Sequence, residues 1–314
     1  MRNTAQYILK RLLYMIPMVL VITFLIYGGL ELTPGDAISH MIPPDQLANV
    51  NPEQLEALRE SYGLNDPFLL RYVRWLGELL HGNFGYSITS GVPIKDILLQ
   101  LFPATLELSL AALAISSVLG SILGILSALK KGSIGDNVLT VFGMIGVSIP
   151  QFFFGMLCIL VFALDWAILP IGGRMAPGET GIWNHFKYLI LPASVLGISL
   201  TAGVMRYSRS SMLDTMNKDY IKTARAKGLP EWRVNLVHGF RVALTPVVVL
   251  IGSSATLIGG SVVIETIFQW PGIGNAFKTA VTGQELPAGY DDRPLFGSCR
   301  AHGQLPGRYS DGGP

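Results

Sequence analysis

The sequence predicts an all-α polytopic membrane protein with five transmembrane helices, and three observations support this prediction. Half of the 314 residues are hydrophobic and only 14% are charged, whereas soluble domains carry about 25% charged residues. Five apolar runs reach the roughly 20 residues that a helix needs to cross a hydrocarbon layer about 30 Å thick. Lysines and arginines are concentrated in alternate loops, which is typical of the positive-inside rule.

The five apolar runs are predicted to be membrane spans. In chain order they are Leu12–Leu32, Phe102–Leu129, Val138–Leu164, Tyr188–Met205 and Val242–Ile264. The first run is too long for a signal-peptide core and lacks a small-residue cleavage site, so we expect it to remain as an anchor. Pro150 lies inside the third run, where a proline kinks a helix. Such a kink suits either a helix that rocks or static packing.

Basic residues predict the orientation of the chain in the membrane. Three of them precede the first span, and Lys130 and Lys131 follow the second. The segment from Arg206 to Arg241 holds eight basic residues against three acidic ones, whereas the loop between the first two spans has four against eight. We therefore expect the N-terminus and this basic segment to face the cytoplasm.

The loop after the first span is mixed in composition and predicts an extracytoplasmic subdomain of short helices. In NPEQLEALRESYGL, Asn51 is a candidate cap and Pro52 a first helical residue, with Leu55, Leu58 and Tyr62 at helical spacing. The predicted division of the chain is a first transmembrane helix (1–32), this subdomain (33–100), a core transmembrane domain (101–284) containing a cytoplasmic loop (206–241), and a polar tail (285–314).

Several classes of function are disfavoured by what the sequence lacks. It contains no GxxxxGK[ST], HExxH or CxxC motif, its five histidines are scattered, and the GIG at 272–274 lacks the third glycine of a dinucleotide site. Cys158 and Cys299 cannot form a disulfide framework, and Cys158 is expected to be a buried free thiol. The net charge of +2 argues against nucleic-acid binding. We expect no catalytic residue, no cofactor and no metal.

A few polar residues in the apolar runs are candidates for lining a translocation path. An ionisable group in lipid usually faces a bundle interior, so Glu107 contacts either a transported solute or a structural hydrogen-bond partner near the membrane boundary. Ser253 and Ser254 lie in a span rich in small residues, which either lines a path or packs tightly on a neighbour. A proton-coupled carrier would be expected to show a chain of ionisable groups, and none is evident.

The stretch DYIKTARAKGLP, residues 219–230, is a polar interruption between apolar runs. Asp219 is a predicted N-cap and Gly228 a predicted C-terminal stop, so we expect a helix of about two turns. Ile221, Ala224 and Arg225 share one face of this helix, while Lys222 and Lys227 point elsewhere. The element either lies on anionic lipid headgroups or docks its small apolar residues in the groove of a cytoplasmic partner, and physical chemistry alone leaves both alternatives open.

Together with HGFRVALTP, this stretch resembles the coupling signature of bacterial ABC-importer permeases. The resemblance is to the B-type membrane subunit of the oligopeptide/dipeptide transport family, which also includes permeases for nickel complexes and glutathione. It covers residues 1 to about 284. Further matching stretches, in order, are LKRLLYMIPMVLVITFLIYGGLELTPGDA, YGLNDPFLLRYVRWL, GNFGYSI, FPATLELSLAAL, GVSIPQF, LPASVLG and VVIETIFQWPGIGNAF.

The resemblance implies a type I-like transmembrane domain whose coupling helix sits in a cleft of a separate ATPase subunit. Lys222 stands where the broader importer signature has glutamate, and Arg241 where it has proline; both look usual for peptide-type permeases. The residues implied in ATPase coupling are Asp219, Tyr220, Lys222, Thr223, Ala224, Arg225, Ala226, Lys227 and Gly228.

The resemblance also implies a function and a set of partners. The chain would form the path for peptides or similar small solutes in a bacterial plasma (inner) membrane, and ATP would be hydrolysed on another chain. The implied partners are a homologous second permease subunit, two cytoplasmic ATPase subunits, an extracytoplasmic solute-binding protein and membrane lipids. The alternative functions are a secondary transporter or channel that works without ATP, and an intramembrane enzyme, which the lack of a catalytic constellation disfavours.

The tail departs from the family pattern, which continues with a sixth span. Residues 285–314 contain six glycines, four prolines and no apolar run, so they cannot span a membrane. Reading the gene from the second base of the Gly289 codon permits VMMTVLFLALAVLMANFLADILMAA, an apolar run that looks like the missing helix. We therefore expect a frameshift near Gln284.

Overall fold

The computed structural model describes residues 2–32, 52–61, 63–87, 90–178, 181–253, 257 and 261–282. These residues are mainly helical, and within them we find no strand beyond one antiparallel bridge between Tyr86 and Pro93. The chain divides into two compact units, the first comprising Met1–Leu98 with Ala280–Pro314 and the second comprising Leu99–Thr279.

The helices are numbered in chain order. They are α1 (Arg2–Glu31), α2 (Pro52–Ser61), α3 (Phe68–Leu80), α4 (Ile94–Leu129), α5 (Ile134–Ser148), α6 (Gln151–Asp165), α7 (Ile182–Met216), α8 (Asp219–Ala226), α9 (Glu231–Ser253), α10 (Val262–Ile267) and α11 (Ile273–Thr282). Two of them contain π-helical turns, at Ile159–Asp165 in α6 and at Val234–Phe240 in α9.

The prediction of an all-α polytopic membrane protein is confirmed. Within the described residues, four helices are long and apolar enough to cross a membrane, namely α1 over Gln6–Gly29, α4, α7 and α9. Helices α5 and α6 are together long and apolar enough to form one more span, although they are bent by 99° relative to each other. Counting this pair as one span gives the predicted five. Cys158, in α6, is buried with a free thiol, as expected.

The bend between α5 and α6 falls at the predicted proline. Helix α5 ends at Ser148, and Pro150 is the residue before α6 begins at Gln151. A proline ring has no N–H to donate to the preceding turn, so the hydrogen-bond ladder stops there. Pro17, Pro103 and Pro192, in contrast, lie inside continuous helices.

The first unit contains helix α3, from the predicted subdomain, which packs on the end of α1. The Tyr72 hydroxyl donates to the carbonyl of Leu20 (3.1 Å) and lies 3.0 Å from the Thr23 hydroxyl. An aromatic cluster covers this contact, with ring centroids 5.3–6.1 Å apart; its members are Phe24, Tyr27, Phe68, Tyr72 and Trp75. Helix α2 begins at Pro52 as predicted, whereas Asn51 and Tyr62 lie outside the described residues.

In the second unit, α4 and α7 cross with their backbones in close contact. Gly120 and Gly124 form a GxxxG pair on α4, and a Cβ added at Gly124 would lie 2.5 Å from the carbonyl oxygen of Met205. A Cβ at Gly197 of α7 would lie 2.8 Å from the Ile115 side chain. Small residues allow this approach where lipid supplies no hydrophobic driving force between helices. The α4–α7 contact is therefore a close helix crossing within this unit.

The fifth span differs from the prediction. Helix α9 begins at Glu231, before the predicted start of the span at Val242, so the segment EWRVNLVHGFR belongs to the same helix as the span. It ends at Ser253, and α10 begins at Val262, whereas a single run to Ile264 was expected. Gly252, Ser253 and Ser261 at this break have low intrinsic helix propensity, and the apolar pattern alone did not reveal the interruption.

Candidate coupling surface and its supporting ion pairs

The N-cap of helix α8 lies one residue earlier than predicted. Lys218 occupies the N-cap position in an extended conformation (φ −74°, ψ 148°) and makes no side-chain capping bond. Asp219 is therefore the first helical residue, and the prediction that it is the N-cap is wrong. Its carboxylate accepts a hydrogen bond from Lys222 Nζ (2.9 Å), and a negative charge in the first turn still interacts favourably with the helix dipole.

The end of α8 is closed where the sequence predicted. Gly228 has a φ of +74°, a conformation that glycine adopts without a Cβ clash. Its N–H donates to the carbonyl of Arg225 (2.9 Å), and the N–H of Leu229 donates to the carbonyl of Ala224 (3.4 Å). These two bonds form a Schellman motif, so Gly228 acts here through its backbone.

The apolar face of α8 is turned towards the chain itself. Ile221 is fully buried and Ala224 is 9% exposed, and both pack with Val234 of α9. Met216 and Leu229 cover the edges of this cluster. The small apolar residues expected to enter a partner's groove are thus already covered, which differs from the expectation for Ala224.

The opposite face of α8 is exposed and polar. Tyr220, Thr223 and Lys227 lie on it at spacings of three and four residues, and all three are exposed. Lys222 and Ala226 are also exposed. The face combines an aromatic ring, a hydroxyl group and two cations, and it suits a partner protein that offers acceptor groups.

An ion pair joins α8 to α9, and α9 in turn packs closely on α7. Arg225 donates from Nε to Glu231 Oε1 (2.9 Å) and from Nη2 to Oε2 (3.3 Å), which joins α8 to the first residue of α9. Beneath it, Gly239 of α9 is so close to α7 that an added Cβ would lie 3.0 Å from Met212 and 3.1 Å from Met216. The predicted coupling element is therefore a preformed helix on a packed stem of α7 and α9.

A partly buried ion pair joins α7 to the first turn of α5, with Asp136 4% exposed and Arg209 31% exposed. Arg209 donates to both oxygens of Asp136, at 2.9 and 2.8 Å, and to the Ser127 hydroxyl at 2.9 Å. The N–H of Gly132 also donates to Asp136 (3.0 Å), and the Ser133 hydroxyl accepts from the N–H of Asp136 (3.2 Å). The capping signature Ser-x-x-Asp was visible in the sequence, but its partner on α7 was not.

Glu107, predicted as a candidate path residue, lies in a second cluster. Its Oε2 accepts from Arg174 Nε (3.2 Å) and Nη2 (2.9 Å), and its Oε1 contacts His185 Nε2. These partners come from the loop after α6 and from the first turn of α7. This pairing favours the structural interpretation of Glu107.

Of the two serines predicted to line the path, only Ser253 lies among the described residues. Ser253 is exposed at the end of α9, and its hydroxyl donates to the carbonyl of Leu250 (2.7 Å). Ser254 lies outside the described residues. A contact of Glu107, Ser253 or Ser254 with a solute remains a prediction.

A third polar centre, which the sequence did not reveal, holds the segment after α10. Glu265 is fully buried and accepts from the Thr105 hydroxyl (3.0 Å) and from the N–H of Asn275 (2.8 Å). Burial raises the pKa of the Glu265 carboxyl, while the hydrogen bonds from Asn275 and Thr105 oppose this shift. Trp270 Nε1 donates to the carbonyl of Ala104 (2.8 Å), so α4 anchors both ends of the loop.

The glycines of WPGIG make room for this carboxylate. A Cβ added at Gly272 would lie 2.4 Å from the carboxyl carbon of Glu265, and one at Gly274 would lie 2.9 Å from Oε2. The motif IETIFQWPGIG is thus explained by close packing around a buried acid. Among the described residues, no group of three or more His, Cys, Asp or Glu residues is placed to hold a metal ion.

Comparison with known protein families identifies the family of this chain. Residues 120–300 match the family described as binding-protein-dependent transport system inner membrane component, which is more than half of the chain. The chain belongs to this family. The sequence-based resemblance to ABC-importer permeases is thereby confirmed, and the protein is a permease subunit with several membrane helices rather than an enzyme.

The permease is similar to curated relatives over most of its length. It is 40% identical to the oligopeptide transport system permease protein AppB of Bacillus subtilis, over 90% of this chain and 89% of the relative. It is 39% identical to a putative peptide permease protein of Brucella ovis, over 94% and 92%. It is 34% identical to the dipeptide transport system permease protein DppB of Escherichia coli, over 90% and 89%.

Membership of this family explains why the permease carries no nucleotide motif. Relatives of this kind are membrane components of ABC importers that work with a solute-binding protein. ATP is hydrolysed on a partner subunit, so the permease needs a surface that receives the partner rather than a phosphate-binding loop.

Proposed function

We propose that the permease forms the path by which peptides or similar small solutes enter a bacterial cell across the inner membrane. The observation that supports this substrate class is the similarity to an oligopeptide and a dipeptide permease at 40% and 34% identity. In the proposed assembly, a homologous second permease completes the path. Two ATPase subunits bind on the cytoplasmic side, and a solute-binding protein delivers the solute from outside.

The proposed docking point for one ATPase subunit is the exposed face of α8, with the N-terminus on the same side of the membrane. The excess of basic residues between Arg206 and Arg241 supports this orientation. The local structure supports a docking role because Tyr220, Thr223 and Lys227 project from a helix that is closed at its C-terminal end and braced by α9. Within this proposal Ala224 and Gly228 act by shaping α8, and the exposed residues make the contact.

A charge reversal on the exposed face tests the docking point. Lys227→Glu should lower the amount of ATPase that co-purifies with the tagged permease, because an acid replaces a cation at a proposed partner contact. The matched control is Lys131→Glu, an exposed lysine in the turn between α4 and α5. We expect about a tenfold loss of ATPase for Lys227→Glu and none for the control.

Transport itself is measured in proteoliposomes that contain the permease with its partner subunits and binding protein. A mixture of radiolabelled dipeptides and tripeptides should accumulate only when ATP is supplied on the ATPase side. Equal uptake without ATP would contradict the proposal and favour a carrier or channel. ATP-dependent uptake with ATPase retained by Lys227→Glu would contradict the docking point alone.

A further inference from the structure

The ion pair of Arg209 with Asp136 lies where a displacement of α8 would enter the transmembrane helices. Arg209 is on α7, seven residues before that helix ends at Met216, a distance of about 10 Å along the axis. Met216 packs against the cluster of Ile221 and Ala224 under α8. The guanidinium of Arg209 therefore lies on α7 about two turns before this cluster.

The contacts of Arg209 reach two further helices. Asp136 belongs to the first turn of α5 and Ser127 to the last turn of α4, and both side chains are buried. Together with the GxxxG contact at Gly120 and Gly124, this arrangement ties α4, α5 and α7 into one body. A movement of the end of α7 is thus transmitted to the helices beside it.

The geometry of the pair defines an orientation as well as a distance. Nε and Nη2 of Arg209 donate to different oxygens of Asp136, in the parallel arrangement that only a guanidinium provides. Water reaches the Arg209 side of the pair, and an ion pair that is partly exposed contributes little to stability. Its presence at this junction therefore calls for a role other than stability.

We propose that Arg209 is a positioning residue that couples ATP hydrolysis to solute movement. Its paired hydrogen bonds to Asp136 transmit the displacement of α8 to α4 and α5, so that the path opens and closes with the ATPase cycle. This inference rests on the proposed function, in which α8 receives the ATPase. It concerns the ratio of solute transported to ATP hydrolysed, not the assembly of the complex.

The test compares conservative variants in the complete complex in proteoliposomes. Arg209→Lys keeps the positive charge but cannot donate two parallel bonds, so we expect normal amounts of complex and about a tenfold lower ratio of peptide taken up to ATP hydrolysed. The probe is the mixture of radiolabelled dipeptides and tripeptides. Arg206→Lys is the matched control, because Arg206 is an exposed arginine one turn earlier on the same helix.

A second variant keeps the inference testable if Arg209→Lys does not assemble. Ser127→Ala removes one acceptor of Nε and leaves the ion pair with Asp136, so the ratio should fall by a smaller factor. A ratio within about twofold of the unmodified protein in the assembled variant overturns the inference. So does a loss of uptake and hydrolysis in proportion to the amount of complex, which would indicate a structural role.

Failure of the proposed function gives a different result. In that case the unmodified complex and Arg206→Lys would both lack ATP-dependent uptake, and the inference would fall with it. If both transport normally and only the inference is wrong, Arg209→Lys transports with the same ratio as they do.

Discussion

Two buried acids in this permease each accept hydrogen bonds from a nearby residue and from a helix that is far away in the sequence. Glu265 receives its hydrogen bonds from Thr105 and Asn275, and Asp136 receives its own from Arg209 and Ser127. Each acid was visible in the sequence as an isolated charge beside an apolar run. The distant partners, Thr105 for Glu265 and Arg209 for Asp136, could not be assigned, because these contacts depend on how α4 and α7 pack. Sequence reasoning therefore located Glu107 as a notable residue but not the partners that neutralise it.

Removing the Glu265 carboxylate is expected to destabilise the loop that follows α10. Glu265→Ala leaves the N–H of Asn275 without its acceptor, and an unpaired buried donor costs about 1–3 kcal/mol. The loss should lower the midpoint of thermal unfolding of the purified permease by several degrees. The control is Glu231→Ala, because an exposed ion pair such as the one with Arg225 contributes about 0–1 kcal/mol. Equal midpoints for the two variants would contradict this account of Glu265.

At the scale of the element, α8 shows what a pattern can and cannot predict. The length of the helix and its end at Gly228 followed from local residue preferences, and both are observed. The predicted cap was off by one residue, since Asp219 pairs with Lys222 instead of capping. Helical spacing identified Ile221 and Ala224 as one apolar face, but spacing does not tell whether a face is covered by the chain itself or by a partner.

Two alanines of α8 separate folding from docking. Ala224 is buried against Val234, whereas Ala226 is exposed. Ala224→Leu should overfill the cluster and destabilise the permease by about 1–3 kcal/mol, which a lower thermal midpoint would report. Ala226→Leu should leave that midpoint unchanged and alter only the amount of ATPase that co-purifies. If Ala224→Leu affected ATPase binding without changing the midpoint, the inward packing of α8 would not describe the protein in its membrane.

The bend at Pro150 and the break after Ser253 illustrate another limit of sequence reasoning. The interruption between α5 and α6 falls at Pro150, but Pro17 and Pro192 also lie in apolar runs and leave their helices continuous. A proline alone therefore predicts neither the interruption nor its angle of 99°. Helix α9 ends at Ser253 and α10 begins at Val262, and the described residues Gly252, Ser253 and Ser261 are of types that membrane helices also use for close packing. The same residue types therefore permit either outcome, and only the packing of α10 against α4 resolves it.

At the scale of the whole molecule, the class of fold followed from composition and from the lengths of the apolar runs. The five-span arrangement required no knowledge of tertiary contacts, because a helix must satisfy its own backbone groups in lipid. The family followed from several short stretches that agree in order. What remained inaccessible was the set of contacts between helices, which here depend on single glycines such as Gly124 and Gly197.

The tail of the chain gives a prediction at the same scale. The family match extends to residue 300, while residues 285–314 carry six glycines, four prolines and no apolar run. We propose a frameshift near Gln284, and sequencing the gene across this position should reveal an altered base count upstream of an apolar reading frame. Restoring that frame should increase the amount of assembled complex and the uptake. An intact frame with no apolar reading downstream would refute the proposal.

The Schellman closure of α8 and its brace to Glu231 have a thermodynamic consequence for any protein that binds there. The helix is ordered before the encounter, so association need not supply the conformational entropy of folding a segment. The heat-capacity change of binding should then correspond to the apolar area covered at the contact alone. A partner can accordingly bind weakly and dissociate quickly while α8 stays folded. This suits a contact that forms and breaks, or shifts, in every transport cycle.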